Sequence, residues 1–586
     1  MAKQNVNWFK HLQYAVPVEG YGNKLSMYFI ALEAWRRGIT INFFNIDNMD
    51  NKVLVRYSLN FKGRESKFEG SKGDKLSNEA DKICENKDET KRYLTKAGVS
   101  VPEGKRFEVI CSITEILSYA KRMGYPVVLK PTNLNAGKGV FSNINSEEEL
   151  KESLIHVRDD LNYQDVIVEK YIPGVEYRIL LINGEVIGAV NRIPANVTGN
   201  GKKTIEELIT LKNKEKKINP NLSKKTIKID KEVLNSIQSL GYQLESIPKD
   251  GERIFLRSKS NVSTGGDPID VTDQLTNELR DMASRASQAV PGLDICGLDM
   301  IVDKENNSGV IIEINTKPML GLHLFPMEGE ARDVIKPIID YYFPETINSR
   351  KTNLYFDFDS LLAPLNNIST KQLKVLPPPS LEKTYGKKYI VYGEITGVGY
   401  KAWVRKKALQ YQLHGYTKRI EYGKTMVVVA STDKDKVDNF KDICYQGPAD
   451  AKVNKVEEYP WEKPVKIGFE IQRESKAELK AALNSEKKSN NKLKKQKQEV
   501  EDRIESLNQD ISRLKREKET FKRQKVKIKK EKDNVVKEKK KLEEEKKDAV
   551  QEIKFFEQKY LTIQKSRSWR ITKPLRKITS LINRKR

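Results

Sequence analysis

Near the C-terminus an apolar residue recurs at every seventh position, at Leu493, Val500, Leu507, Leu514, Phe521, Ile528, Val535 and Leu542, which predicts one seam of a coiled coil. The companion seam is apolar at Ile504, Ile511 and Ile553 but lysine at Lys518, Lys525, Lys532, Lys539 and Lys546. Such a seam is under-packed, because lysine stems can be buried only while their heads reach water. The expectation is a marginal homodimer or a long helix held by a partner, with a solvated charged helix as the plain alternative. Elsewhere the pattern changes. NKLSMYFIALEAWRRGITINFF reads as an amphipathic helix entering a strand with Gly38 at the turn, hence a small α/β unit. Short apolar runs in VVLKP, VIVEK, GLDMIV and GVIIEIN predict strands, and the alternation in IIEIN places Glu313 and Asn315 on one face. Thr346 to Lys388 lacks periodicity and contains Pro377 to Pro379, which predicts a linker.

Candidate chemistry gathers on those strands. Asp299, Glu313 and Asn315 bring oxygen ligands onto two apolar runs, the ligand type that Mg²⁺ takes together with phosphate and water. Unpaired carboxylates between aliphatic residues would be costly to bury, which favours a metal over an idle surface position. Lys130 ends an apolar strand and precedes a loop containing Gly137, Lys138 and Gly139, whose backbone N–H groups can approach phosphate. No GK[ST] follows, so this is not a Walker loop. Glu169 to Tyr171 reads as a hinge whose backbone can contact adenine, Glu176 as an acceptor for ribose hydroxyls, and Arg178 as a contact to phosphate or substrate. Arg192 and Asn261 are candidates to hold a substrate carboxylate; a surface arginine is the bland reading of Arg192. The glycine-rich Ser263 to Asp267 suits a closing loop that excludes water.

With these motifs, and with NKDETKRYLTKAGVSVP, RIPANVTGNGKKTIEEL and LRSKSNVSTGGDPIDVTD, residues 86–345 resemble an ATP-grasp domain of the cyanophycin synthetase and bifunctional glutathione synthetase kind. The resemblance implies Lys87 and Lys130 on the nucleotide phosphates, Glu169 and Glu176 on adenine and ribose, Arg257 near the transferred phosphoryl group, and the metal on Asp299, Glu313 and Asn315. It also implies ATP and Mg²⁺, or Mn²⁺ in its place, with small carboxylate and amine substrates joined through an acyl phosphate. Leu134 and Ala136 depart from the family's usual glycine and histidine in the phosphate loop.

A second unit, 389–472, resembles acylphosphatase, a ferredoxin-like βαββαβ domain whose strand-to-helix loop is here TGVGYK, with Gly397, Val398 and Gly399. Where that family has an essential arginine this chain has Lys401, and its water-orienting asparagine aligns with Arg419. Lysine lacks the planar two-pronged grip of arginine, and arginine cannot accept a hydrogen bond from water. Hydrolysis is therefore expected to be weak or absent.

Length divides the chain into roughly three or four units. The formal charge is +26, and from Arg473 onward 38 Lys and Arg face 19 Asp and Glu, a surplus of 19 that leaves only 7 for everything before. The tail lacks interleaved aromatics, so nucleic acid is disfavoured against an anionic membrane surface or polymer. In SRSWRITKPLRKITSLINRKR, Ile571, Leu575, Ile578 and Ile582 share one helical face among basic residues, which suits membrane association. SWRITKPLR also resembles C-terminal tails of bacterial capsule and cell-surface glycosyltransferases, implying a place near cell-surface polysaccharide machinery. Four scattered cysteines indicate neither zinc nor a disulfide framework and fit a reducing cytoplasm, and no apolar run reaches signal or spanning length. The expected organisation is an α/β and α+β multidomain chain: a pre-ATP-grasp unit at 1–85, the ATP-grasp domain at 86–345, a linker at 346–388, the acylphosphatase-like domain at 389–472, a charged coiled coil at 473–562 and a basic amphipathic tail at 563–586. The expected function is an amide-forming ligase in cell-surface polymer or amino-acid conjugate synthesis, located in the cytoplasm or at the inner membrane face. An acylphosphatase or a nucleotide-binding scaffold is the alternative.

Overall fold

A computed structural model describes residues 8–9, 11–12, 15–17, 20–22, 24–47, 53–132, 139–472, 491, 494, 496–516, 519–520 and 535–565. The chain forms two compact units, Met1–Thr384 with Glu462–Ile467, and Tyr385–Trp461 with Gly468–Arg586.

In the first unit, the helix Leu25–Arg36 is not the amphipathic surface helix its pattern suggests, since all but one of its residues are buried. Its charged positions survive burial because each finds partners, Glu33 in ion pairs and Arg36 in hydrogen bonds to carbonyls. Glu33 pairs with Arg37 and Lys351, and the Arg36 guanidinium donates to the carbonyls of Leu354 and His11. Gly38, at φ 86°, makes the expected turn into the strand Thr40–Asp47. That strand lies inside a five-stranded antiparallel sheet, in the order 372–375, 40–47, 53–61, 64–69, 72–73.

The stretch 346–388 is consequently no bare linker. It carries the helix Phe358–Asn366 and the strand Gln372–Val375, whose residues 372–375 pair antiparallel with Phe44 to Ile41. Phe356 and Phe358 pack on Tyr28, Trp35 and Phe43. The proline triplet falls outside both elements, so local breaker signals conceal a segment whose apolar residues complete a distant core.

Two further antiparallel sheets carry the chemistry. One is four-stranded, in the order 104–107, 166–170, 127–131, 141–144; the other is five-stranded, in the order 267–270, 185–193, 175–182, 295–303, 308–315. On the second, Ile179, Leu181, Leu298, Met300, Ile311 and Ile314 face a core completed by Leu279, Ala283 and Ala286 of the helix Asn277–Gln288. Each of these leucine, isoleucine and methionine side chains stabilises the fold by about 1.5–3 kcal/mol on full burial. Because strand side chains alternate, Arg178, Asp299 and Glu313 project from the opposite face.

The second unit pairs its strands in the order 452–460, 385–394, 424–431, 414–421, 469–471, with helices Tyr400–Gln410 and Lys434–Gln446. Tyr389, Val391, Val427 and Val429 meet Val404, Ala408 and Phe440 in its core. This is the expected βαββαβ arrangement with one added strand. Residues 496–516 and Val535–Lys565 are helical, and seam residues Val500, Leu507, Leu514 and Leu542 are exposed on them. Leu493, Phe521, Ile528 and the basic tail lie outside the described residues.

Candidate active site

Asp299 is the centre of the polar face, because its strand register sets it directly opposite both Arg178 and Glu313. Arg178 grips it through two N–H groups, Nε on Oδ1 and Nη2 on Oδ2 at 2.8 Å. Arg192 approaches the same Oδ2 at 3.0 Å and also pairs with Glu176. Asp299 is only 3% exposed. Burial alone would push its carboxyl up, but the Arg178 and Arg192 guanidinium groups hold it below the usual carboxylate range. Carboxylates directly opposite across a strand pair repel, so Asp299 and Glu313 need this surrounding positive charge. Lys87 adds to it: burial lowers its pKa, while Glu313 is the largest influence drawing it back up.

Asp299, Glu313 and Asn315 therefore stand together as two carboxylates and a carboxamide, on strands joined through the pairs Asp299–Glu313 and Gly297–Asn315. The Asn315 Nδ2 is buried without a hydrogen-bond partner, an amide whose oxygen can be turned to a cation instead. Among the described residues no group of three or more His, Cys, Asp or Glu is placed to hold a metal. The donor set fits a hard divalent ion such as Mg²⁺ or Mn²⁺ that takes its remaining oxygens from phosphate and water.

The four-stranded sheet contributes a second charged cluster. The Glu169 carboxylate, 3% exposed, accepts from Lys130 Nζ at 2.6 Å and pairs with Lys91. Burial would raise its pKa, yet Lys130 and Lys91 keep it below the ordinary value. Lys130 and Glu169, expected as separate phosphate and adenine contacts, are thus partners. No motif in the sequence marks Lys91 on its own, although it sits one turn after Lys87 on the helix Lys87–Lys96, at the i, i+4 spacing that shares a face. The hinge is fixed by its backbone, with Lys170 N–H donating to Glu103 O and Tyr171 N–H to Pro126 O. A cleft of about 220 Å³ opens beside Lys87, lined also by Asn86, Arg106 and Thr132. It abuts the start of the phosphate loop, where Gly137 and Lys138, like Leu134 and Ala136, lie outside the described residues; Gly139 has φ 64°.

Other expected site residues are engaged locally. Arg257 is buried and pairs with Asp230 and Glu232 at the start of the helix Lys231–Ser239. The Asn261 Oδ1 accepts from Ser263 N–H at 2.8 Å, shaping the turn before Gly265. Ser263 to Asp267 is not free along its whole length. Asp267 is buried at the start of the strand Asp267–Asp270, held by Lys212 and, at 2.6 Å, by Lys216. A glycine-rich pattern signals backbone freedom but not the buried anchor beside it.

In the second unit, Gly397 and Gly399 take φ 84° and 74°, with open space where a Cβ would stand, so positive φ rather than crowding calls for glycine. Val398 packs against the core, and the helix Tyr400–Gln410 starts at Gly399 without a side-chain cap. Its first turn thus presents backbone N–H groups, with Lys401 in that turn and Arg419 on the strand His414–Glu421.

Comparison with known proteins agrees with both units. Residues 104–228 match the model of the prokaryotic glutathione synthetase ATP-grasp domain, and residues 387–471 match that of acylphosphatase. The chain is 35% identical over 357 residues to the glutathione biosynthesis bifunctional protein GshAB of Clostridium perfringens, covering 58% of this chain and 44% of that one. It is 36% identical over 271 residues to the cyanophycin synthetase of Crocosphaera subtropica, covering 45% and 31%. A bifunctional glutathione synthetase structure from Pasteurella multocida aligns with TM-score 0.41 and 26% identity, covering 56% and 45%. The chain spans less than half the length of these relatives. The family matches and sequence identities thus give this chain an ATP-grasp domain similar to those of glutathione and cyanophycin synthetases, followed by an acylphosphatase-like domain.

Proposed function

We propose that the protein is an ATP- and Mg²⁺-dependent ligase that joins a carboxylate to an amine through an acyl phosphate. The observation that carries this reading is the row Arg178, Asp299, Glu313 across three neighbouring strands, with Arg192 and Lys87 beside it. A carboxylate oxygen attacks the γ-phosphorus of ATP and ADP leaves. The amine then attacks the acyl carbon, inorganic phosphate departs and the nitrogen loses a proton to give the amide. Lys87 and Lys130 would balance charge on the phosphate oxygens, and Arg178 and Arg192, held by Asp299, would add positive charge beside the reacting groups. Asp299, Glu313 and Asn315 would hold the Mg²⁺, which when bound neutralises phosphate charge. Glu169 and Tyr171 would form the adenine hinge, with Glu176 toward the ribose and Arg257 toward the transferred group.

The same reading keeps domain limits at 86–345 and 389–472, with 346–388 assigned to the first unit's core. It places the protein in the cytoplasm, reaching the inner membrane face or polysaccharide machinery through the basic tail; among the described residues no helix is long and apolar enough to cross a membrane. The test is Mg²⁺-dependent ADP release with pools of amino acids, small peptides and uronic acids, comparing the intact chain with Glu313→Ala. Stimulation by one pool, lost in the variant, supports the ligase; nucleotide binding without stimulated turnover in any pool overturns it in favour of a scaffold.

A further inference from the structure

The antiparallel sheet that precedes the ATP-grasp domain reaches the metal-site strands through one turn, between its strands Arg64–Glu69 and Lys72–Gly73. Asn315 ends the strand Ser308–Asn315, and each of the three residues after it meets that turn or a partner of it. Thr316 Oγ1 donates to Asp81 Oδ1 at 2.9 Å, and the other oxygen of Asp81 takes Lys72. Lys317 pairs with Glu69 at 2.5 Å. Ser71, 1% exposed, donates through Oγ to Pro318 O at 2.6 Å. The Lys317 side chain is half exposed, so its pair is screened and contributes little. The Ser71 bond, which is buried, and the Thr316 bond, which goes to an ion-paired carboxylate, carry the grip.

The same segment is packed from the side of the site. Pro318 is buried, and a Cβ on Gly297, the residue paired with Asn315, would stand 3.1 Å from both Pro318 Cβ and Arg178 Cδ. Pro318 therefore touches both the turn and the strand that carries Asp299. Asp81 belongs to the helix Asn78–Glu85, which a single residue, Asn86, separates from the helix that begins at Lys87. Thr90 Oγ1 joins these two helices by donating to Ile83 O at 2.7 Å. One carboxylate thus ties the end of the metal-site strand to the helix pair that presents Lys87. The tie bears most on Asn315. Its Nδ2 has no hydrogen-bond partner, so the position of its backbone, rather than a contact through that nitrogen, sets where the carboxamide points.

We propose that the turn Glu69–Lys72, with Asp81 and Thr316, is a clamp that holds Asn315 in place for the divalent ion, which makes Asp81 and Thr316 positioning residues for metal binding. A small ion such as Mg²⁺ tolerates little departure from its ligand geometry, so a ligand at the end of a strand needs a fixed continuation behind it. The clamp presupposes the ligase reading, and it gives the sheet before the ATP-grasp domain a part in that chemistry.

The experiment is titration of Mn²⁺ into the full chain with the non-hydrolysable ATP analogue adenylyl imidodiphosphate present, reading the free ion by electron paramagnetic resonance. Thr316→Val keeps the side-chain shape but not the donor, and Asp81→Ala removes the acceptor. Each weakens Mn²⁺ binding about tenfold, the low end for losing a group that stands behind a metal ligand. The thermal midpoint moves by no more than about 2 °C, the scale of one hydrogen bond in a unit of this size. Thr316→Ser, which keeps the hydroxyl, retains the wild-type affinity. The double variant Thr316→Val with Asp81→Ala binds no more weakly than either single one, because both break the same bond. Wild-type affinity in both single variants, or losses that add in the double variant, overturns the clamp and leaves the ligase reading intact. A wild type that holds no Mn²⁺ beside the nucleotide analogue sinks the ligase reading, and the clamp with it.

Discussion

Glu169→Gln isolates the role of one buried carboxylate. The substitution preserves shape but removes the negative charge that Lys130 and Lys91 share, leaving two ammonium groups that are mostly out of water. Breaking a buried pair by deleting one partner costs roughly 3–5 kcal/mol, and because the Lys91 side chain keeps 18% exposure the lower end applies, about 3 kcal/mol. For a unit of roughly 390 residues, Met1–Thr384 with Glu462–Ile467, an unfolding entropy of about 2.1 cal/mol/K per residue makes that a fall of about 4 °C in thermal midpoint. Differential scanning calorimetry of the full chain, following the transition of the first unit, measures it. The acid limb gives an independent check. Glu169 is held below its ordinary pKa in the folded state, so its contribution is complete above the unfolded value of about 4.5 and disappears as pH falls through the folded value. The wild type should lose stability over that window, whereas the Gln variant should lack this component. A variant that melts within about 1 °C of wild type at pH 7 would refute the argument, because the two lysines would then be balanced by something else.

Further expectations separate stability from activity. Glu313→Ala removes a carboxylate facing Asp299 across the strand pair, so its thermal midpoint should stay or rise while Mg²⁺-dependent ADP release is lost; a large fall in midpoint would contradict the repulsion argument. Asp299→Asn leaves Arg178 and Arg192 without their shared carboxylate and should destabilise by about 3 kcal/mol, read as an earlier denaturant midpoint. In the second unit, hydrolysis of benzoyl phosphate should be near background, and Lys401→Arg combined with Arg419→Asn should raise it; strong hydrolysis by the unaltered chain would refute the view that these positions disable catalysis. The helix Val535–Lys565 exposes Phe555 at 60% and Phe556 at 62%, and residues 473–562 carry the heptad seam, so deletion of 473–586 should convert a dimer to a monomer in sedimentation; a monomeric intact chain, or a dimer that survives the deletion, would exclude pairing through this segment.

Much of this protein is written locally in its chain. Strand alternation by itself put Glu313 and Asn315 on one face, glycine placement marked the turn at Gly38 and the open loop at Gly397 and Gly399, and motif spacing identified both recognisable domains, because these features depend on neighbours only a few residues apart. What only the tertiary structure decided is who neutralises whom. No periodicity reveals that Asp299 takes both Arg178 and Arg192, that Glu169 joins Lys130 to Lys91, or that Asp267 is clamped by Lys212 and Lys216. Nor could the breaker-rich 346–388 announce that its strand pairs with residues more than 300 positions earlier. The physical reason is common to all of them: charge balance and strand pairing are long-range interactions, set by which surfaces are buried together, and a single chain read in order carries only the local half of that information.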